Sequence, residues 1–252
     1  VIPFLKVYEA VVRSCTQNGV RGGSATVHFP IWHREIEDIL VLKNNKGTED
    51  NRVRKLDYSV QLSKIFYERL LSGGNITLFS PHDVPGLYEA FGHNEKFDEL
   101  YLRYENDRTI TKKSISALEL FTALLKERAE TGRIYIMNID HCNSHSSFVD
   151  SVKMSNLCQE ITLPTDPIQT LDDREGEIAL CILSAINVGN LRELDDLKNL
   201  CDLAVRGLEE LIDYQDYPVR AAELATKSRR SLGIGYIGLA HYLAKILAPS
   251  PN

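Results

Sequence analysis

Runs of almost wholly apolar residues limit what this chain can fold into more than any other feature. "ITLFS" at 76–80, "RIYIMNI" at 133–139 and "EIALCILSAINVG" at 177–189 are rich in β-branched side chains. Such runs predict strands that are covered on both faces. Helical segments of roughly ten to twenty residues lie between them. This alternation predicts an α/β protein in which helices cover a parallel or mixed sheet.

Apolar spacing and capping residues predict the helices. They are expected at 1–13, 33–42, 58–72, 84–91, 95–105, 114–132, 192–214 and 218–230. Ser114 or Ser116 is the expected N-cap of the helix at 114–132, and Gly132 its stop. Residues 25–32 read as extended chain. The charged loop at 43–52 is the one plausible internal break, so a single domain or part of one is the simplest organisation.

Composition narrows the function classes. The chain has 252 residues, 43% of them apolar, which is enough for a substantial core. The chain has 29 basic and 35 acidic residues, which gives a net charge of -6. The basic residues are not clustered in the sequence, which argues against nucleic acid as a partner. No apolar stretch reaches the ~18 residues of a membrane span, and no signal peptide is visible, which favours the cytoplasm.

The two ends of the sequence indicate a fragment of something larger. The chain starts at Val1 on an apolar run, and it stops at "LAKILAPSPN", where a helical pattern meets two prolines. Five widely spaced cysteines, an odd number, argue against a secreted disulfide framework.

The segment "MSNLCQEITLPTDP" at 154–167 carries the strongest candidate chemistry. In extended backbone Asn156, Cys158 and Glu160 would form one row with a spacing of ~6.5 Å. An amide, a thiol and a carboxylate at that spacing could bracket a sugar-sized substrate. On composition alone, however, a cysteine between leucine and glutamine is more often an inert core residue.

The other cysteines have structural interpretations first. Cys181 lies among apolar residues and Cys201 lies on the apolar face of a predicted helix, so both are expected in the core. A zinc site from His141, Cys142 and His145, with Cys158 as fourth ligand, is a weak alternative because no paired ligand motif is present. It predicts stoichiometric metal in the purified chain.

A glycine-rich loop, "NGVRGG" at 18–23, offers exposed N–H groups and one guanidinium, which suits contact with a phosphate or nucleotide. A mobile surface turn explains it equally well. The loop matches neither the Walker pattern nor the dinucleotide fingerprint. "GIGYIG" at 233–238 has the fingerprint spacing but follows a predicted helix rather than a strand, so it is discounted.

Several long motifs, taken together, resemble one family. "RIYIMNIDHCNSHSSF", "MSNLCQEITLPTDP", "GEIALCILSAINVG" and "RRSLGIGYIGLAHYLAK" resemble the large catalytic (alpha) subunit of class I ribonucleotide reductase of the aerobic bacterial and phage type. "SCTQNGVRGGSATVHFPIWH" and "LFSPHDVPGLYEAFG" match the same family in the right order. The resemblance covers residues 1–245 as a portion of the catalytic barrel, whereas the tail at 246–252 departs from the family pattern.

The resemblance implies a fold and a reaction. The fold would be about half of a ten-stranded α/β barrel, with "NLCQE" as its central finger loop. The reaction would be the thiyl-radical reduction of ribonucleoside diphosphates to deoxyribonucleotides for DNA synthesis. Cys158 would carry the radical, Glu160 would be the base on the 3'-hydroxyl, and Asn156 would bind and orient the substrate. Cys181 would be one of two redox-active cysteines that close into a disulfide.

Regulation and partners are also implied by the resemblance. Cys15, Gln17, Arg21 and Gly22 would lie in the specificity-effector loop, which responds to bound ATP or deoxynucleotides. No cofactor or metal is expected in this chain, because a metal-containing small subunit delivers the radical. The expected partners are that small subunit, a second large subunit in a homodimer, thioredoxin or glutaredoxin, and the ribonucleoside diphosphate.

Departures from the family suggest that the isolated chain is inactive. The second reducing cysteine, the ATP-binding activity domain, the substrate-phosphate loop, the radical-transfer tyrosines and the C-terminal shuttle cysteines have no counterpart here. The alternative to an active enzyme is therefore a catalytically inert nucleotide-binding or assembly fragment that needs its complementary half.

Overall fold

The described chain contains both helices and strands, which follow one another in a mixed order. The structure is a computed structural model that describes residues 1–247, so the end of the predicted tail at 246–252 lies outside it. The chain divides into two compact units, of which the first spans Val1–Pro164 and the second begins at Thr165. The prediction of a mixed α/β protein is confirmed.

The first unit contains most of the elements. In chain order they are α1 (Ile2–Ser14), β1 (Thr16–Gln17), β2 (Arg21–Gly22), β3 (Thr26–Pro30), α2 (Ile36–Leu40), β4 (Asp57–Leu62), α3 (Lys64–Leu71), β5 (Asn75–Phe79), α4 (Leu87–Ala90), α5 (Asn94–Asn106), β6 (Lys112–Ser116), α6 (Ala117–Thr131), β7 (Ile134–Asn138) and α7 (Ile139–Ser144). The elements of the second unit are β8 (Ile182–Asn187), α8 (Asp196–Tyr214), α9 (Arg220–Arg229), β9 (Leu232–Ile237) and α10 (Leu239–Leu247).

A three-stranded parallel sheet organises the first unit. Its strand order is β3-β4-β7, with Val27 opposite Tyr58 and Tyr58 opposite Ile134. Around it lies one continuous apolar core, in which the Trp32 ring meets Phe91 edge-on at 5.8 Å between centroids. Fully burying a side chain of this size stabilises the fold by about 1.5–3 kcal/mol. The buried core therefore stabilises the three-stranded sheet.

The strands and the long helix that depend on local signals were predicted well. β5 and β7 lie within one residue of the predicted runs at 76–80 and 133–139. The Ser116 side chain accepts a hydrogen bond from the Glu119 backbone and caps α6, and Gly132 ends that helix with a φ of 65°. Ser114 instead belongs to β6, which pairs antiparallel with β5.

The predicted helix at 58–72 is wrong over its first half. Residues 57–62 form β4, and only Lys64–Leu71 are helical, as α3. β4 lies between two parallel neighbours, and five of its six residues are buried. Hydrogen bonds on both edges outweigh the weak helical preference of this stretch.

Two other predictions were too long. The helix expected at 33–42 is reduced to α2, and the run at 177–189 contributes only the six residues of β8. β8 pairs in parallel with β9, and its covered side packs Ile182 against Leu208 and Ile212 of α8. Leu183 on the other side is 53% exposed, so burial on both faces is not observed. The discounted "GIGYIG" stretch lies mainly in β9.

No helix among residues 1–247 is long and apolar enough to cross a membrane.

Candidate active site

One face of the parallel sheet is polar. Side chains alternate along a strand and parallel partners share a face, so Thr26 and His28 of β3 lie on the same face as Ser59 and Gln61 of β4. Ser59 is fully buried and Gln61 is 1% exposed. Buried hydroxyl and amide groups need hydrogen-bond partners, and on this face a loop supplies them.

That loop comprises residues 151–164 and has no regular secondary structure. Its first residues are attached to the surrounding elements, since Ser151 Oγ lies 2.6 Å from His93 Nε2. The Asn143 side chain holds Val152 from both sides, donating to its carbonyl at 3.0 Å and accepting from its N–H at 2.8 Å. Gln61 Nε2 donates to the Lys153 carbonyl at 2.5 Å.

The middle of the 151–164 loop is a tight turn rather than an extended row. The Gln159 N–H donates to the Asn156 carbonyl at 3.2 Å, and Gln159 has a φ of 63°. The predicted straight row of Asn156, Cys158 and Glu160 is therefore wrong. Thr26 Oγ1 binds the Leu157 carbonyl at 2.6 Å, and the Gln159 side chain reaches the sheet, so the backbone must turn to make both contacts.

The three predicted catalytic residues lie on this turn. Cys158 and Glu160 are exposed, whereas Asn156 is half-buried. Asn156 Oδ1 accepts hydrogen bonds from the Ile161 N–H at 3.1 Å and from Ser155 Oγ at 3.2 Å. The thiol and the carboxylate thus face outward, while the amide oxygen closes the turn.

A polar cavity of about 370 Å³ adjoins the turn at the carboxyl end of β7. Asn138, Gln159 and Thr162 contribute to its wall. In open α/β sheets the carboxyl ends of strands are the usual place for ligands. Gln159 of the turn lines this cavity, whereas Cys158 and Glu160 do not, so the two reactive groups lie on a turn that borders the cavity rather than in its wall.

His28 lies beneath the same loop. Burial disfavours the charged imidazolium and lowers the pKa of His28 from 6.5 to about 4, while the Ser155 backbone nearby raises it slightly. Within residues 1–247 neither ring nitrogen makes a hydrogen bond of normal geometry. His28 is therefore a neutral, half-buried ring at neutral pH.

The predicted effector loop forms a small hairpin. β1 and β2 pair antiparallel, and Asn18 and Gly19 both have positive φ, as a type I′ turn requires. Cys15, Gln17, Arg21 and Gly22 are all exposed. At its base a Cβ on Gly23 would lie 2.1 Å from the Val12 carbonyl oxygen, so only glycine fits there.

The predictions of two core cysteines are wrong. Cys181, which directly precedes β8 in the second unit, is exposed. Cys201 is also exposed, because it lies on the side of α8 that lines an apolar cavity of about 390 Å³ with Leu197 and Ile234. In each case the apolar neighbours in sequence do not enclose the thiol in space.

The zinc alternative gains no support from the geometry. The His141 and His145 rings meet edge-on at 5.7 Å between centroids, and burial raises the pKa of the half-buried Cys142. No three His, Cys, Asp or Glu side chains are grouped as metal ligands in the part of the chain that the structure describes.

Sequence reasoning missed the residues that hydrogen-bond the 151–164 loop to the sheet. Thr26, Ser59, Gln61 and Gln159 were not singled out, and β4 was predicted as helix. The signal was present, since "DYSVQL" alternates polar and apolar positions with the strand period of two.

Comparison with known proteins identifies the family. A sequence model of the ribonucleotide reductase barrel domain matches residues 1–249. The chain belongs to the ribonucleotide reductase barrel-domain family. Curated proteins similar to this barrel-domain chain are named ribonucleoside-diphosphate reductase subunit alpha. The chain is 60% identical to the Haemophilus influenzae protein of that name, over 97% of the chain and 33% of the relative.

Two further reductase subunits extend the comparison. The chain is similar to ribonucleoside-diphosphate reductase 1 subunit alpha of Escherichia coli, at 56% identity over 97% of the chain and 33% of the relative. It is 46% identical to the alpha subunit of Enterobacteria phage T4 over 98% of the chain and 33% of that relative. The barrel-domain chain thus spans about a third of the length of these reductase subunits.

Proposed function

We propose that the chain is the part of a ribonucleoside-diphosphate reductase alpha subunit that carries its radical cysteine. Residues 1–245 would form about half of a ten-stranded α/β barrel, and "NLCQE" at 156–160, within the 151–164 loop, would be its central finger. The parallel sheet β3-β4-β7 would supply three strands of such a barrel, and the loop bonds to polar side chains of β3 and β4.

The observation that carries this proposal is the turn at Leu157–Gln159. It presents the thiol of Cys158 and the carboxylate of Glu160 outward from a loop that is bonded to a buried sheet. A thiol that must approach a substrate carbon needs both exposure and a fixed position. An inert core cysteine, the competing interpretation, would be buried, and Cys158 is not.

The proposed chemistry divides among three side chains. A thiyl radical on Cys158 takes the hydrogen atom from C3' of the ribose, which breaks the C3'–H bond and forms S–H. Glu160 accepts the 3'-hydroxyl proton, the 2'-hydroxyl takes up a proton from the pair of reducing thiols and leaves as water, and Asn156 hydrogen-bonds the substrate. Cys158 later returns a hydrogen atom to C3' and regains its radical.

Two electrons are required to replace the 2'-hydroxyl with hydrogen. Cys181 would provide one thiol of a pair that is oxidised to a disulfide, and thioredoxin or glutaredoxin would reduce that disulfide by thiol exchange. The exposure of Cys181 suits this role better than the core position expected from its neighbours. The second thiol would come from the part of the subunit beyond this chain.

The hairpin β1-β2 would serve as the effector-responsive loop. Its exposed Gln17 and Arg21 are paired across the hairpin, and Cys15 and Gly22 lie at its ends. Binding of ATP or deoxynucleotides would shift this hairpin between conformations and so select the substrate base. Thr26, just after the hairpin, bonds to the 151–164 loop.

The proposed partners follow from the same reaction. A metal-containing small subunit would deliver the radical, a second alpha subunit would complete a homodimer, and a ribonucleoside diphosphate would be the substrate in the cytoplasm. The isolated chain is expected not to turn over.

A serine replacement tests the proposal. In the full-length subunit Cys158→Ser should abolish ribonucleotide reduction and leave effector binding intact, because a hydroxyl hydrogen is held too strongly to replace the thiol. Turnover is measured as deoxynucleotide formation with the radical-generating subunit present. Cys201→Ser, at another exposed cysteine, is the matched control and should retain activity. Turnover in Cys158→Ser would overturn the proposal.

A further inference from the structure

Gln159 is the unusual residue of the turn. Its backbone φ of 63° lies in the left-handed region, which residues other than glycine, asparagine and aspartate rarely adopt. Holding a glutamine in this conformation costs free energy, so surrounding contacts must keep it in place. It also lies between Cys158 and Glu160, the two exposed reactive residues.

The Gln159 side chain uses both ends of its amide. Its Oε1 accepts a hydrogen bond from the hydroxyl of Ser59, and its Nε2 donates to the Ile136 carbonyl at 2.7 Å. Ser59 lies on the central strand β4 and is fully buried, while Ile136 lies on the adjacent strand β7. One side chain thus ties the turn to two neighbouring strands.

We propose that Gln159 is a positioning residue that holds Cys158 and Glu160 in reactive geometry by bonding the turn to Ser59 and the Ile136 carbonyl. This inference rests on the proposed function. Gln159 also lines the 370 Å³ cavity, but both ends of its amide are bonded to the sheet, so the role assigned to it is positioning.

The proposed reaction needs two groups in fixed positions, but the loop that carries them has no regular secondary structure. Residues 151–164 have no ladder of backbone hydrogen bonds to fix them, so their position depends on side-chain contacts. Misplacing a reacting group by about 1 Å can cost about 100-fold in rate. The paired bonds of Gln159 act directly between the two groups that must be placed.

Two replacements separate positioning from turn formation. Gln159→Gly removes both side-chain bonds but relieves the positive φ, whereas Gln159→Leu removes the bonds and keeps the strain. If Gln159 positions the site, both variants of the full-length subunit should lose about 100-fold in kcat with KM within about twofold. If it serves only to form the turn, Gln159→Gly should have normal kcat, and that result would overturn the proposal.

Ser59→Ala provides a milder test if the Gln159 variants fold poorly. It removes one hydroxyl from a buried position, and losing one hydrogen bond of about 1.4 kcal/mol corresponds to an approximately tenfold lower kcat. Ser114→Ala, in exposed β6, and Gln169→Leu, at an exposed glutamine, are the matched controls and should keep wild-type kcat. Wild-type kcat in Ser59→Ala would also overturn the proposal.

Hydrogen exchange gives a readout that does not depend on activity. Amides of residues 155–161 should exchange at least about tenfold faster in Gln159→Gly and Ser59→Ala than in either control. In these variants the loop can open locally without first breaking the hydrogen bonds of Gln159 to the sheet. Unchanged exchange would contradict the anchoring itself. A different outcome is turnover in Cys158→Ser together with faster exchange in Gln159→Gly and Ser59→Ala. That result would contradict the proposed function but would support the anchoring of the turn by Gln159.

Discussion

The half-buried ring of His28 should make the stability of this protein fall as the solution is acidified. Its pKa is lowered by burial from 6.5 to about 4, so the folded state resists protonation of the ring. That difference in pKa corresponds to about 3 kcal/mol. His28→Phe keeps an aromatic ring on the same face and cannot titrate.

The sign follows from which state binds the proton. Between pH 6.5 and about 4 the unfolded chain takes up a proton on His28 and the folded chain does not. The contribution of His28 to the free energy of unfolding therefore falls by about 1.4 kcal/mol for each pH unit of acidification in this window. Burial raises the pKa of Asp98 and Asp140, which acts in the opposite direction, so the comparison must be between variants.

Urea unfolding of the chain at pH 7, 6 and 5 measures the effect. Trp32, the one tryptophan, is 1% exposed and reports loss of the core by fluorescence. Relative to wild type, His28→Phe should gain about 2 kcal/mol between pH 7 and pH 5, because the carboxylate contributions cancel in the difference. His82→Phe, at an exposed histidine, is the matched control for replacing a histidine with phenylalanine.

A difference between His28→Phe and wild type that stays constant with pH would refute the reasoning. So would a difference of the opposite sign, since that would mean the folded state binds the proton more tightly than the unfolded chain.

Two further predictions concern local structure. Ser116→Ala removes the N-cap of α6 and should lower the free energy of unfolding by about 1 kcal/mol, whereas Ser114→Ala in β6 should change it little, as urea unfolding would show. Gly23→Ala places a Cβ 2.1 Å from the Val12 carbonyl oxygen and should disrupt the base of the β1-β2 hairpin. Proteolysis within the hairpin should accelerate in Gly23→Ala but not in Gly22→Ala, where a Cβ meets nothing within 4 Å.

Local signals explain why part of the fold was predicted well. The cap at Ser116, the left-handed stop at Gly132 and the apolar runs of β5 and β7 each depend on a few neighbouring residues. Capping and turn preferences act over three or four residues, so the sequence contains them in full. The turn at Asn18 and Gly19 is also local and was expected as a glycine-rich loop, although the pairing of β1 with β2 was not predicted.

Residues 57–62 show where local reasoning stops. "DYSVQL" has weak preferences of its own, and it becomes β4 because β3 and β7 pair with it from both sides. Those partners lie 31 and 76 residues away in sequence, as Thr26 opposite Asp57 and Ile134 opposite Tyr58 show. Pairing over such separations cannot be read from the segment itself.

The candidate site divides in the same way. The sequence by itself determined the α/β class, the family and the motif that contains Asn156, Cys158 and Glu160, because composition, period and motif order are properties of the chain alone. Only the tertiary structure decided that this motif is a turn and that Gln159 points into the sheet. The reason is physical: the hydroxyl of Ser59 and the carbonyl of Ile136 become partners for Gln159 only after the sheet has formed.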